Sequence, residues 1–182
     1  MTAHATVFRC AGPRDERGRT RTAGTGRALL TRAAAPLGLG APRRTRTGGW
    51  AWPEDGWHGS VAHCADTAVV VLARCSVGVD AQEHRDRPRA LAAVAAMLGR
   101  DRADVRDFAE VEAVIKLIGP QHAALAGLRL PGREHGWRAA PFGVIGSAVD
   151  ERGLAVAVAV AAERPLDVRW RAVGAPATGP LW

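Results

Sequence analysis

Hydrophobic spacing divides the chain into short elements separated by polar punctuation. Apolar positions recur at helical intervals over residues 28–37, and Pro36 with Gly38 and Gly40 ends that run. Residues 11–27 ahead of it, rich in Arg, Gly and Thr, predict an exposed basic loop. Residues 41–59, dense in Pro, Gly, Trp and Arg, predict another. Residues 68–73 form a β-branched run that predicts a buried strand, and residues 77–81 begin a second one across a break at 74–76. An Ala-rich helix is predicted at 88–98 and a stronger one at 105–118, stopped by Gly119 and Pro120. Residues 143–149 and 154–162 predict strands joined as a hairpin by the tetrad 150–153, and 168–173 predict a final strand. This order predicts an α+β chain in two similar layers, with residues 74–76 as the join.

Composition narrows the class. The 182 residues suit one domain or two closely packed halves that bury roughly 70% of the unfolded surface. Ala and Val supply most of the apolar residues and aromatics only 5%, so the expected core is compact and built from small side chains. A net charge of +7 favours an anionic partner. Of the 25 Lys and Arg residues only Lys116 is a lysine. It either survives by chance or marks a position that needs a compact ammonium and not a planar fork. Three cysteines, Cys10, Cys64 and Cys75, form neither a disulfide framework nor a paired CxxC zinc site and suit a reducing cytoplasm. Residues 1–10 lack the apolar stretch of a signal peptide, and the longest apolar run, 154–162, is too short to span a bilayer. A soluble cytoplasmic protein is expected. Helix-turn-helix, zinc-finger and RNP patterns are missing, which argues against a nucleic-acid partner.

Four constellations carry candidate chemistry. In Val77-Gly78-Val79-Asp80-Ala81-Gln82, period-two geometry puts Asp80 and Gln82 on one strand face, two oxygen-bearing groups that make half of a hard-cation site. An Asp that merely closes a strand reads the same way. Glu112 and Lys116 lie one turn apart on the 105–118 helix. Exposed pairs of that kind are worth a few tenths of a kcal/mol. This helix is otherwise so apolar that its charged pair should line something polar. Ser60 and His63, in Gly59-Ser60-Val61-Ala62-His63-Cys64, offer a hydroxyl and an imidazole to a phosphate or to structural hydrogen bonds. Neighbours on a strand face opposite ways, so His63 and Cys64 are not a nucleophile pair. Arg27 and Arg32 flank the start of the first helix, as anion ligands or as a solvated face.

Taken in order, these segments resemble the 4'-phosphopantetheinyl transferases of the enterobactin-synthetase class. Gly26-Arg27-Ala28 through Arg32 to Leu37-Gly38 matches the family's Arg-bearing first helix. Gly48-Gly49-Trp50-Ala51-Trp52-Pro53 followed by Gly59-Ser60-Val61-Ala62-His63-Cys64 follows its G-x-P-x-W-P and G-S-[IL]-[ST]-H-[CS] patterns. Val77 to Gln82 resembles G-[IV]-D-[VI]-E, and Phe108 through Glu112, Ala113 and Lys116 resembles [FW]-[ST]-x-K-E-[AS]-x-x-K. The likeness covers about residues 26–119. Departures are Gln82 for Glu, Val111 for Lys, Ala62 for a hydroxyl residue and Trp50 for Pro.

The resemblance implies two pseudo-symmetric halves, each a small antiparallel sheet packed on a long helix. Residues 1–75 would bind the coenzyme A phosphates and nucleotide, and residues 76–182 would carry the metal and catalytic groups. It implies a Mg2+-dependent enzyme that moves phosphopantetheine from coenzyme A to a serine of an acyl or peptidyl carrier protein with an acidic surface. Asp80, Glu112 and Gln82 would hold the metal, and Glu112, Lys116 and Asp80 would be catalytic. Arg27, Arg32, Arg46, Ser60, His63 and Lys116 would bind coenzyme A. A monomer is implied. The alternative is a diverged relative that keeps the coenzyme A or carrier-bound ligand and has lost transfer or does other chemistry in natural-product biosynthesis.

Overall fold

A computed structural model of the protein describes residues 2–9, 26–46, 48–64, 67–85, 87–120, 125, 127–130, 132, 136–149 and 153–173. The basic loop expected over 11–25, Cys10 and the turn residues 150–152 lie outside the described residues.

In chain order the elements begin with β1 (Thr2–Arg9), α1 (Gly26–Ala34) continuing into a 3-10 turn (Ala35–Leu37), β2 (Arg43–Arg44) and β3 (Trp50–Trp52). A second 3-10 turn (Pro53–Asp55) leads to β4 (Trp57–Cys64), β5 (Thr67–Ala73) and β6 (Val77–Gln82). Then follow α2 (Pro88–Leu98), α3 (Val105–Ile118), β7 (Gly136–Ala140), β8 (Gly143–Val149), β9 (Ala155–Val160) and β10 (Asp167–Val173). The architecture is mixed α+β, with two sheets and, among the described residues, three α-helices. One sheet has the order β10-β1-β5-β4-β3-β2 and the other β6-β9-β8-β7.

Side-chain alternation sets the layers. Along β5, Ala68, Val70 and Leu72 face α1, while Val69, Val71 and Ala73 face the second sheet, so all seven residues of the strand are buried. Leu29 and Leu30 of α1 complete the outer cluster, each worth about 1.5–3 kcal/mol of burial. Along β9, Val156, Val158 and Val160 fill the space between sheets, and Ala155, Ala157 and Ala159 lie beneath α2 and α3. Small side chains there let the helices approach closely. Period two likewise turns Val77, Val79 and Ala81 of β6 to the inter-sheet core, which leaves Gly78, Asp80 and Gln82 on the α3 side.

Gly78 is where α3 touches the strand. A Cβ built there would stand 2.0 Å from the Ala113 carbonyl oxygen and 2.7 Å from the Leu117 amide nitrogen, so only glycine admits the helix at this depth. The outer edge of β6 is closed differently, by side chains of β4. Ser60 Oγ accepts the Val79 N–H at 3.0 Å, and four residues further along both strands Cys64 Sγ accepts the Glu83 N–H at 3.0 Å.

Several expectations need correction. The segment 41–59 is not one loop: it contains β2, β3, a 3-10 turn and the start of β4. Strands of two or three residues are too short to display an alternating pattern. β1 and β7 were not expected either, since Ala3, Ala5, Ala139 and Ala140 are weak strand formers and pairing partners decide their state. The first sheet is not purely antiparallel, because β10 runs parallel to β1. Residues 74–76 carry the chain from the first sheet to the second, and residues 161–166 return it, so the second half of the chain gives four strands to the second sheet and β10 to the first. The helices are unequal too, nine residues in α1 against 14 in α3.

A candidate active site between the sheets

The start of α3 fixes its register. Asp104 accepts the Arg106 and Asp107 N–H groups, and Asp107 accepts the Asp104 N–H in return, a capping box that seats the first turn. From that start, the residues next to Ala113 and Leu117, namely Glu112 and Lys116, fall over the Asp80 face of β6.

Lys116 ends against three acceptors. Its Nζ donates to Asp80 Oδ1 at 2.7 Å and to the Val79 carbonyl at 3.0 Å, and it approaches the Val61 carbonyl of β4 at 3.5 Å. Three oxygens around one nitrogen suit an ammonium and not a planar guanidinium. The ion pair of Lys116 is with Asp80, 36 residues away, and not with Glu112 on its own helix. Gln82 Nε2 donates to the other Asp80 oxygen at 2.6 Å, while Gln82 Oε1 accepts from Arg87 Nη1 at 2.7 Å. The residue expected as an oxygen ligand therefore turns its nitrogen towards Asp80. Glu112 is half-buried. Burial raises its pKa above the ordinary carboxylate range, the negative charge of Asp80 adds to the rise, and Lys116 partly offsets it. The charge of Asp80 therefore reaches the Glu112 carboxyl.

Two adjoining cavities open beside Lys116 and share Gly49, Trp50 and Lys116 in their walls. One, of about 310 Å³, adds Arg44, Ser60, Ile115 and Pro120. The other, of about 260 Å³, adds Thr45, Arg46, His58 and Ser76. Arg44 and Arg46 from the β2 segment and Lys116 from α3 make a cleft suited to phosphate oxygens, with Val77 of β6 in the wall of the smaller cavity.

The remaining expected residues divide. Ser60 lines the cleft, but its oxygen already accepts the Val79 N–H. His63 is exposed on β4, and its pKa is lowered first by partial enclosure of the ring and then by Lys116, which places it in the field of the same ammonium. Arg46 lines the smaller cavity. Arg27 is exposed in the first turn of α1, next to Gly26, where an added Cβ would stand 3.0 Å from Val61. Arg32 lies elsewhere, its guanidinium 5.2 Å from the ring centre of Phe8 on β1.

Sequence reasoning missed Arg44 and Arg87. Arg44 stacks 4.1 Å over Trp50 at the cleft mouth and hides in an arginine-rich run. It also missed a sealed cluster on the opposite flank of α3. There Glu110 receives Arg138 Nη2 and the Ser147 hydroxyl, with Arg106 Nε at 3.3 Å, and Arg106 Nε donates to Ser147 Oγ at 2.7 Å.

Among the described residues no three His, Cys, Asp or Glu side chains gather as a metal cluster. The Asp80 and Glu112 pair still fits Mg2+, which is commonly held by one or two carboxylates, with waters and substrate phosphates completing its shell. Among the described residues no helix is long and apolar enough to cross a membrane. Compared with known proteins, the chain matches no protein-family model and no curated sequence.

Proposed function

We propose that the chain is a 4'-phosphopantetheinyl transferase, carrying the phosphopantetheine arm of coenzyme A to a carrier-protein serine with release of 3',5'-ADP, on the two-halved fold of that family. The observation that carries this reading is the ion pair of Lys116 with Asp80, from distant parts of the chain, at a basic cleft that Lys116 lines, with the Glu112 carboxyl in the field of both.

In the reaction, the serine oxygen attacks the pyrophosphate phosphorus that bears the pantetheine arm. A new O–P bond forms, the bond to the bridging oxygen breaks, and 3',5'-ADP departs with that oxygen. The raised pKa of Glu112 suits it to take the serine proton. Lys116 supplies positive charge where the phosphoryl group transfers, and Arg46, His63 and Arg27 meet the nucleotide phosphates. Arg32, stacked on Phe8, has no part in this. Asp80 and Glu112 would hold Mg2+, which when bound neutralises pyrophosphate charge. Most of the rate comes from positioning and charge. A carrier with an acidic recognition surface complements the net +7 charge.

One observation favours the second reading, a relative that binds coenzyme A or a carrier-bound substrate without transfer. Gln82 brings no negative charge and gives Asp80 a nitrogen. Incubation with coenzyme A, Mg2+ and an apo carrier protein distinguishes the two. Transfer raises the carrier mass by one phosphopantetheine, and Glu112→Ala abolishes the shift. Calorimetric coenzyme A binding without a mass shift on several carriers supports the second reading, and unchanged turnover in Glu112→Ala removes the mechanism.

A further inference from the structure

Gln82 and Asp80 share one face of β6, and the amide between Asp80 and Arg87 can lie only one way round. An ionised carboxylate only accepts and a guanidinium only donates. The amide nitrogen therefore meets Asp80 Oδ2 at 2.6 Å and the amide oxygen meets Arg87 Nη1 at 2.7 Å. Lys116 takes the other oxygen of the same carboxylate at 2.7 Å. Asp80, 4% exposed, is gripped by a donor at each oxygen and keeps lone pairs to spare.

Arg87 is itself anchored by two helices. It caps the N-terminus of α2, with Pro88 following and its own carbonyl accepting the Leu91 N–H at 3.0 Å. Its guanidinium lies 5.6 Å from the ring centre of Phe108 on α3. A side chain so held fixes the Gln82 oxygen, while Asp80 takes the nitrogen, and the two together lock the amide.

We infer that Arg87 is a positioning residue: by occupying the Gln82 oxygen it anchors the amide whose nitrogen orients Asp80, and it withholds residue 82 from any cation that Asp80 and Glu112 hold. This rests on the metal reading of that carboxylate pair and refines it, because the protein's ligand set becomes two carboxylates. It also changes what Gln82→Glu does. The carboxylate introduced would face Arg87 on one side and Asp80 on the other, and pairing with the guanidinium would absorb much of the added charge.

Two measurements on the full chain test this. The first needs no metal: the side-chain amide protons of Gln82 are followed by NMR in the wild type, Arg87→Lys and Arg87→Met. A downfield, slowly exchanging proton should persist in the wild type and Arg87→Lys and exchange at least about tenfold faster in Arg87→Met; the same exchange rate in all three overturns the inference. The second is Mg2+ calorimetry on the wild type, Gln82→Glu, Arg87→Met and the double variant. Gln82→Glu should tighten binding about threefold with Arg87 present and about tenfold or more without it, the coupling expected of touching residues. Equal gains in both backgrounds overturn the inference. If Mg2+ binds none of the four while the amide signal still depends on residue 87, the positioning role stands and the metal reading is what falls.

Discussion

Glu110 and Glu112 stand two positions apart on α3, which turns them to opposite flanks of the helix. Glu110 is 1% exposed, and two guanidinium groups and a hydroxyl gather on one of its carboxylate oxygens. Glu112 is half-buried, and none of the described residues donates a hydrogen bond to it. Its charge is opposed by Asp80 and only partly relieved by Lys116. Burial alone would choose Glu110 as the unusual carboxylate. Hydrogen bonding chooses Glu112, because a carboxylate with vacant acceptor sites, one turn from the Lys116 that lines the cleft, can take a proton or a cation. The sealed cluster fastens α3 to β7 and β8, and the open one lies over β6.

The largest expected effect comes from opening the sealed side. Arg138→Met leaves the Glu110 charge buried and short of a partner, which should cost about 3–5 kcal/mol in denaturant unfolding. Adding Glu110→Leu should recover most of that, and a single variant as stable as the wild type would show that the cluster is not closed. Next comes Gly78→Ala. Both contacts of the new methyl are backbone atoms of α3, so the helix must lift from β6 at a cost of about 1–3 kcal/mol. The damage should fall on the open side: under the proposed function, coenzyme A affinity is reduced more by Gly78→Ala than by Arg138→Met. Equal reductions would erase the distinction between the flanks.

The smallest effect is on pH dependence. The folded-state pKa of Glu112 lies above its unfolded one, so the native state holds that proton more tightly. In metal-free protein its contribution to stability is lost as pH rises from the ordinary carboxylate range through the raised value. His63 has the opposite sense: its lowered pKa costs stability as pH falls through the imidazole range. The difference between Glu112→Gln and wild type isolates the first effect. The variant should lack that decline, and identical profiles would mean that Glu112 feels neither burial nor Asp80.

The sequence made the long, one-signal elements legible. α2, α3 and β8 fall on the residues that periodicity and their Pro and Gly boundaries indicated, and β5 and β6 lie within a residue of expectation. Period two on β6 and period 3.6 on α3 also placed Asp80 beside Gln82 and Glu112 one turn from Lys116. What local pattern could not supply was pairing across the fold. Lys116 looked like the partner of Glu112 and takes Asp80. Ser60 looked like a phosphate ligand and spends its oxygen on Val79. Nothing near Glu110 in sequence announced Arg138, because the contact depends on how β7 registers against β8.

β10 has a consequence for how the molecule comes apart. Although it follows the whole second sheet in the chain, it is hydrogen-bonded beside β1, so the chain crosses between the sheets twice, at 74–76 and 161–166, and the first sheet is complete only after the second has been passed. Unfolding should therefore be a single concerted event, and folding should be slowed by a contact between chain segments about as distant as the described residues allow. A chain cut short before Asp167 would bare the flank of β1, an unprotected row of backbone donors and acceptors open to self-association.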